Sequence, residues 1–245
     1  MSLCKDCITG VTHEGEPVGK IEEINGIKTY VSLPPAGKEY DKTKAILFLT
    51  DGFGLELVNN KVDDFAKNGF QTYMPDLFNG DPVVTIENFD FATWIAKHGR
   101  EQTRPIIDDL VTALKERGIK NFAATGYCFG GRYTFDLAFD HVIKAAAVSH
   151  PSLLQVPEDL EKFKISSVPL LINSCEVDSQ YPPESQKLGD DILGDGNTET
   201  EKYKRAYFPG CVHGFAVRGD LSKPEVKAGK EQSFVNTVDW FKKHL

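Results

Sequence analysis

Short apolar runs alternate with stretches of helical period along most of this chain, and that alternation constrains its fold more than any other feature. Ala45–Thr50 (AILFLT) is continuously apolar, the pattern of a strand buried on both faces of a parallel sheet. Leu55, Val58, Val62, Phe65 and Ala66 then recur at helical spacing, with Gly69 as a stop. Phe70–Met74 reads as the next strand, and Ile106, Ile107, Leu110, Val111 and Leu114 mark a helix ended by Gly118. Asn121–Thr125 is a strand from which Gly126 begins a sharp turn into a helix reaching about Ala138. Val142–Ser149 and Val168–Ser174 are further buried strands; a strand near Tyr203–Phe208 precedes a last helix at about Glu225–Lys243. Ahead of all these, two alternating runs flank Asn25-Gly26, a hairpin signal. Strand–helix–strand succession predicts a mainly parallel central sheet with helices on both faces.

Composition narrows the rest. With 245 residues and no internal repeat, one α/β domain over 1–245 is expected, large enough to hold its own core. A net charge of −8 argues against nucleic acid or an anionic membrane as the main partner. No run approaches the roughly 18 apolar residues of a membrane span. The start, MSLCKDCITG, has no apolar core behind basic residues, so a cytoplasmic protein is expected. Five cysteines, at 4, 7, 128, 175 and 211, are an odd number for a disulfide framework. Cys4 and Cys7 form a CxxC with only His13 nearby, too few ligands for structural zinc, and are read as a polar tail. Neither a metal nor a cofactor is expected: no phosphate-cradling glycine loop and no H-E-x-x-H occurs, and Gly52 and Gly54 lack the rest of a dinucleotide fingerprint.

The chemistry concentrates in Gly126-Tyr127-Cys128-Phe129-Gly130-Gly131, which places a cysteine between glycines after a strand and before a helix. That spacing is the nucleophile elbow, normally G-x-S-x-G, where a tight turn leaves no room for side chains two residues to either side. The helix N-terminus favours a thiolate, and the Phe129 amide is free to donate to an oxyanion. The competing reading is a buried, inert cysteine between packing glycines. An elbow demands the chain order nucleophile, acid, base. Downstream histidines are at 141, 150, 213 and 244; His213, in the loop Pro209–Phe215 after a strand end, suits the base. After Val168–Ser174 come Glu176 and Asp178, of which Asp178, beyond the strand end, is preferred and Glu176 is the fallback. Three members in the required order favour a Cys128, Asp178, His213 triad.

These residues, together with Thr50-Asp51-Gly52-Phe53-Gly54, Tyr73-Met74-Pro75-Asp76-Leu77, Ser149-His150-Pro151 and His213-Gly214-Phe215, make the chain resemble the dienelactone hydrolase (carboxymethylenebutenolidase) family, and its fungal members most. The resemblance implies an α/β-hydrolase fold, Cys128 as nucleophile, Asp178 as orienting acid and His213 as base. It also implies an oxyanion hole from the amides of Gly52 and Phe129. Asp51 stands where bacterial members carry a glutamate that interacts with the resting thiol. Arg218, five residues past His213, is the candidate for binding a substrate carboxylate, against the alternative of a solvated loop residue. His150 either lines the pocket or is a satisfied strand-end histidine.

The reaction expected is hydrolysis of a small-molecule lactone, ester or thioester through an acyl-thiol intermediate, with no cofactor. A thioesterase or small-ester hydrolase with another acyl group is the alternative within enzymes. A non-catalytic thiol redox sensor or ligand-binding scaffold is the alternative outside them. Phe78, Phe89, Phe91 and Trp94 are available either to shape the acyl pocket or to join the core.

Overall fold

A computed structural model describes residues 17–55, 59–85, 87 and 89–245. The Cys4/Cys7 pair lies outside the described residues. Among the described residues there are eight strands and eight helices; the strands are β1 (Lys20–Ile24), β2 (Ile27–Ser32), β3 (Lys44–Leu49), β4 (Thr72–Pro75), β5 (Asn121–Tyr127), β6 (Ala145–Ser149), β7 (Leu170–Val177) and β8 (Tyr203–Val212). The helices are α1 (Asn59–Lys67), α2 (Phe91–Lys97), α3 (Arg100–Glu116), α4 (Phe129–Phe139), α5 (Glu158–Ser166), α6 (Pro183–Leu193), α7 (Phe215–Arg218) and α8 (Pro224–His244).

The strands form one sheet in the order β1-β2-β4-β3-β5-β6-β7-β8. Only β2 runs against its neighbours, β1 and β4; every other pairing is parallel. Asn25-Gly26 makes the β1–β2 hairpin with positive φ at both residues (51° and 77°), the conformation that this dipeptide tolerates best. The period of two along each buried strand divides the core into layers. On β3, Ala45, Leu47 and Leu49 face one layer and Ile46 and Phe48 the other. On β5 the split is Phe122 and Ala124 against Ala123 and Tyr127. Helices α3, α4 and α5 cover the first face through Ile107, Leu110, Phe135, Leu137, Leu160 and Phe163. Helices α1 and α8 cover the second through Val62, Phe65, Val238, Trp240 and Phe241. This is the mainly parallel sheet with helices on both faces that the alternation predicts, and the α/β-hydrolase-like architecture that the resemblance implies.

The switch in strand order lies between β3 and β5, where successive strands are added in opposite directions, the place at which open α/β sheets bind ligands beyond the carboxyl ends of their strands. The loop Thr50–Gly54 and the β5–α4 junction therefore meet: Gly130 donates its amide to the Thr50 carbonyl at 3.0 Å.

Several boundaries differ from the sequence reading. Gly126 does not begin the turn; it remains in β5, paired with Leu49 and Val148, and the chain turns at Cys128. Val142–Lys144 precede β6, because the α4–β6 connection needs those residues. Strand β7 extends to Val177 and β8 to Val212, so Pro209–Val212 are strand rather than loop and His213 follows directly. The irregular stretch 76–100 contains α2, capped by Asp90, whose side chain accepts the Thr93 amide at 3.1 Å. Helix α3 starts at Arg100 and accommodates Pro105 in its second turn.

Candidate active site

The site grows from β5. Cys128 follows the strand at φ 48°, ψ −109°, strained for a residue with a side chain, and α4 begins at Phe129. The flanking glycines are required by close approach. A Cβ on Gly126 would lie 2.3 Å from Thr134 Oγ1 and 2.5 Å from the Gly130 carbonyl oxygen. One on Gly130 would lie 2.2 Å from the Leu49 carbonyl oxygen. The turn is also tied to the neighbouring strand: Cys128 donates its amide to the Ser149 carbonyl at 3.2 Å, and its own carbonyl accepts the Ser152 amide at 3.0 Å. Of the three described thiols, Cys128 alone is partly exposed. Cys175 and Cys211 are buried, and burial pushes the Cys211 thiol up to about 11, far from reactivity.

Strand β7 delivers Asp178 one residue past its end, and β8 delivers His213 likewise. Because the two strands pair in parallel up to Val177 and Val212, their next residues are neighbours. The His213 amide donates to the Val177 carbonyl at 3.0 Å, locking the register. Asp178 Oδ1 lies 2.8 Å from His213 Nδ1 and also accepts the amides of Gln180 (2.8 Å) and Tyr181 (3.2 Å). Both side chains are almost fully buried. Burial alone would pull the His213 pKa down, but Cys128 and Asp178 outweigh it and hold the imidazole well above its ordinary range. The fallback acid, Glu176, is exposed and spends its Oε2 on the Gly210 amide at 2.6 Å, so Asp178 is the carboxylate that reaches the histidine.

The remaining predicted positions lie near the same carboxyl ends of the strands. Asp51 and Gly52 follow β3, and the Gly52 peptide is fixed by its carbonyl accepting the Val83 amide at 2.8 Å. Phe129 is the first residue of α4, where helical N–H groups lack intrahelical acceptors. Arg218 is neither solvated nor in a loop. It ends the one-turn helix α7, 3% exposed, with Nε 2.5 Å from Asp51 Oδ2 and its guanidinium 4.1 Å from the Phe53 ring centre. Asp51 is thus engaged with Arg218, and its Oδ1 accepts the Phe53 amide at 3.1 Å. His150 is fully buried with its ring centre 4.9 Å from that of His213. It is not a satisfied histidine: neither ring nitrogen has a hydrogen-bond partner among the described residues. Burial, then the nearby charges of His213, Arg218 and Lys61, hold its pKa well below the usual range, so it stays neutral. Phe78 and Trp94 are buried and pack against Phe129, whereas Phe89 and Phe91 are partly buried beside them.

Four residues at the site escaped the sequence reading. Ser152 Oγ lies 3.3 Å from Cys128 Sγ. Cys175 Sγ lies 3.7 Å from Asp178 Oδ2, the oxygen turned away from His213. Lys61 and Lys230, from α1 and α8, are buried beneath α7 and donate to the carbonyls of Ala216 (2.6 Å) and Val217 (3.0 Å). No motif marks these four. Two lysines in otherwise amphipathic helices read as surface residues, and Ser152 is one step beyond Ser149-His150-Pro151.

Comparison with known proteins identifies the family of the chain. Residues 27–245 match the model of the dienelactone hydrolase family. Hydrolase pyvD of Aspergillus violaceofuscus is 38% identical over 98% of this chain and 96% of its own length. Dienlactone hydrolase 1 of Gibberella moniliformis is 30% identical over 97% and 92%. Among solved structures, a cold-adapted esterase from an Arctic intertidal metagenomic library superposes with a TM-score of 0.64 at 19% identity, covering 93% of each chain. A dienelactone hydrolase-like promiscuous phosphotriesterase from metagenomic libraries gives 0.61 at 18%, covering 89% and 92%. The two structures speak to the fold alone; the family model and the relatives that align over nearly the whole chain show that this protein belongs to the dienelactone hydrolase family and is a hydrolase of that family.

Proposed function

We propose that the protein hydrolyses a small lactone, ester or thioester by covalent catalysis on Cys128. The observation that carries this reading is the buried Asp178–His213 pair at 2.8 Å beside a cysteine held at positive φ on a strand-to-helix turn. Asp178 fixes the His213 tautomer, with the proton on Nδ1, and stabilises the imidazolium. The Cys128 thiol passes its proton to Nε2 and the thiolate attacks the carbonyl carbon. The oxygen that becomes negative is held by the amides of Gly52 and Phe129, each such donor worth roughly 3 kcal/mol. Collapse of this intermediate breaks the C–O bond, and the leaving oxygen takes the proton from His213, either as it departs or directly after departing as an enolate, which leaves His213 neutral. Water activated by neutral His213 then attacks the thioester carbon, the C–S bond breaks, and the electron pair returns to sulfur. An enol lactone suits a thiol nucleophile because its leaving group is good; an unactivated amide does not.

Arg218 would receive a substrate carboxylate. Its present partner is Asp51, so an anionic substrate has to compete with a buried carboxylate for the guanidinium. Substrates lacking a carboxylate leave that pair undisturbed. The test is loss of dienelactone ultraviolet absorbance on adding purified protein, with Cys128→Ala alongside. Turnover abolished in the variant is the expected result; turnover at the parental rate would remove Cys128 from the mechanism.

A further inference from the structure

Among the described residues, Cys128 Sγ has two polar neighbours. One is His213, close enough for the sulfur's charge to raise the imidazole, although Nε2 itself has no partner of hydrogen-bond geometry. The other is Ser152, whose Oγ lies 3.3 Å from the sulfur. The hydroxyl is not there by the reach of a floppy side chain. The Ser152 amide donates to the carbonyl of Cys128 itself at 3.0 Å, the His150 amide two residues earlier donates to Asn173 at 3.0 Å, and Pro151 packs against Gly131 so closely that a Cβ there would be 2.8 Å away. Ser152 is 6% exposed, and its hydroxyl has no other partner among the described residues.

We infer that Ser152 is a thiolate-stabilising residue whose hydroxyl donates a hydrogen bond to the Cys128 sulfur. The inference rests on the reading of Cys128 as nucleophile. A hydroxyl facing a thiol and an imidazole that is readily protonated can serve the sulfur best as donor, because the negative charge is then on sulfur and hydrogen bonds to charged acceptors are the stronger ones. Ser152 keeps its own proton throughout. When the thiolate attacks, its electron pair becomes the S–C bond, and the resulting thioester sulfur is a poor acceptor, so the hydrogen bond weakens. When water later displaces sulfur, the pair returns to it and the hydrogen bond is restored. Ser152 therefore lowers the basicity of the thiolate as attacking group but assists it as leaving group, and its larger effect falls on breakdown of the acyl-enzyme.

The experiment uses the full chain and needs no substrate. Iodoacetamide alkylation of Cys128 is followed as a function of pH by mass spectrometry of the peptide containing it, in the parent, Ser152→Ala and Ser152→Thr, with thiolate absorbance near 240 nm as a second readout. Ser152→Ala is expected to move the alkylation midpoint upward and to slow the reaction at pH 6 by about tenfold. Ser152→Thr, which keeps the hydroxyl, restores the parental profile, and this separates donation from a packing role. A midpoint unchanged in Ser152→Ala, or moved downward with faster alkylation, overturns the inference. Failure of the covalent mechanism would appear elsewhere, as normal turnover in Cys128→Ala, so the two results are distinguishable.

Discussion

A carboxylate and an imidazole taken out of water together cost several kcal/mol unless each completes the other's hydrogen bonding. Asp178 meets that demand with one oxygen shared among His213 Nδ1 and the amides of Gln180 and Tyr181. Asn in its place removes the charge that stabilises the imidazolium, and wherever its NH₂ turns to Nδ1 the tautomer is reversed and Nε2 can no longer accept from the thiol. Asp178→Asn is expected to lower kcat/KM by roughly 10³–10⁴-fold. Glu176→Gln, which changes only an exposed carboxylate bonded to Gly210, should alter it less than about twofold. Steady-state kinetics of the two variants on one ester check the assignment, and the reverse result would move the acid to Glu176. The residues of the proposed triad were legible because an elbow constrains chain order, and His213 and the Asp178/Glu176 pair met that order in segments that follow strands. The choice between the carboxylates was not decided by spacing; it follows from β7 running on to Val177, which turns Asp178 inward and leaves Glu176 outside. Ser152 was illegible because contact across a turn leaves no periodic mark.

At the scale of elements, the buried strands announced themselves through unbroken apolar runs, while the short elements did not. Helix α7 has four residues, far below the length at which a helix holds itself together. What keeps it is tertiary: Lys61 and Lys230 bind its last carbonyls from one side, and Arg218 anchors it to Asp51 on the other. Burial, then repulsion from Lys230, lowers the Lys61 pKa to about 7, partly offset by Asp64. In the unfolded chain it returns to about 10.4. Between those values the unfolded state binds more protons than the folded one, so this lysine's burial penalty is relieved as pH rises. Lys61→Met removes the penalty together with the carbonyl contact. Its stability relative to the parent should therefore be most favourable at pH 6 and should worsen toward pH 9, as read from urea midpoints at both values. A difference independent of pH would show that Lys61 is not buried as an amine. The elbow makes the opposite kind of demand, on volume. Gly126→Ala would put a methyl 2.3 Å from Thr134 Oγ1 and 2.5 Å from backbone, and the melting temperature should fall by about 5–10 °C.

For the molecule as a whole, the site sits where β3, β5, β6, β7 and β8 end, and its two ion pairs are internally matched, Arg218 by Asp51 and His213 by Asp178, with Lys61 and Lys230 buried beneath α7. The field felt by an approaching ligand is then set largely by the net charge of −8. A substrate that carries a carboxylate is repelled until it reaches the site, where it must displace Asp51 from Arg218. A neutral ester feels no such barrier. Salt shortens the range of the repulsion, from a Debye length of about 30 Å at 10 mM to about 8 Å at 150 mM. It leaves the buried Asp51–Arg218 pair largely unscreened. The value of kcat/KM for an anionic lactone is therefore expected to rise about twofold over that range, and that for a neutral aryl ester to stay flat. Initial rates against sodium chloride concentration for the two substrates supply the measurement. Rates that fall with salt for the anionic substrate alone would mean that Arg218 presents its charge to solvent before the ligand arrives, which a guanidinium 2.5 Å from a buried carboxylate and 3% exposed should not do.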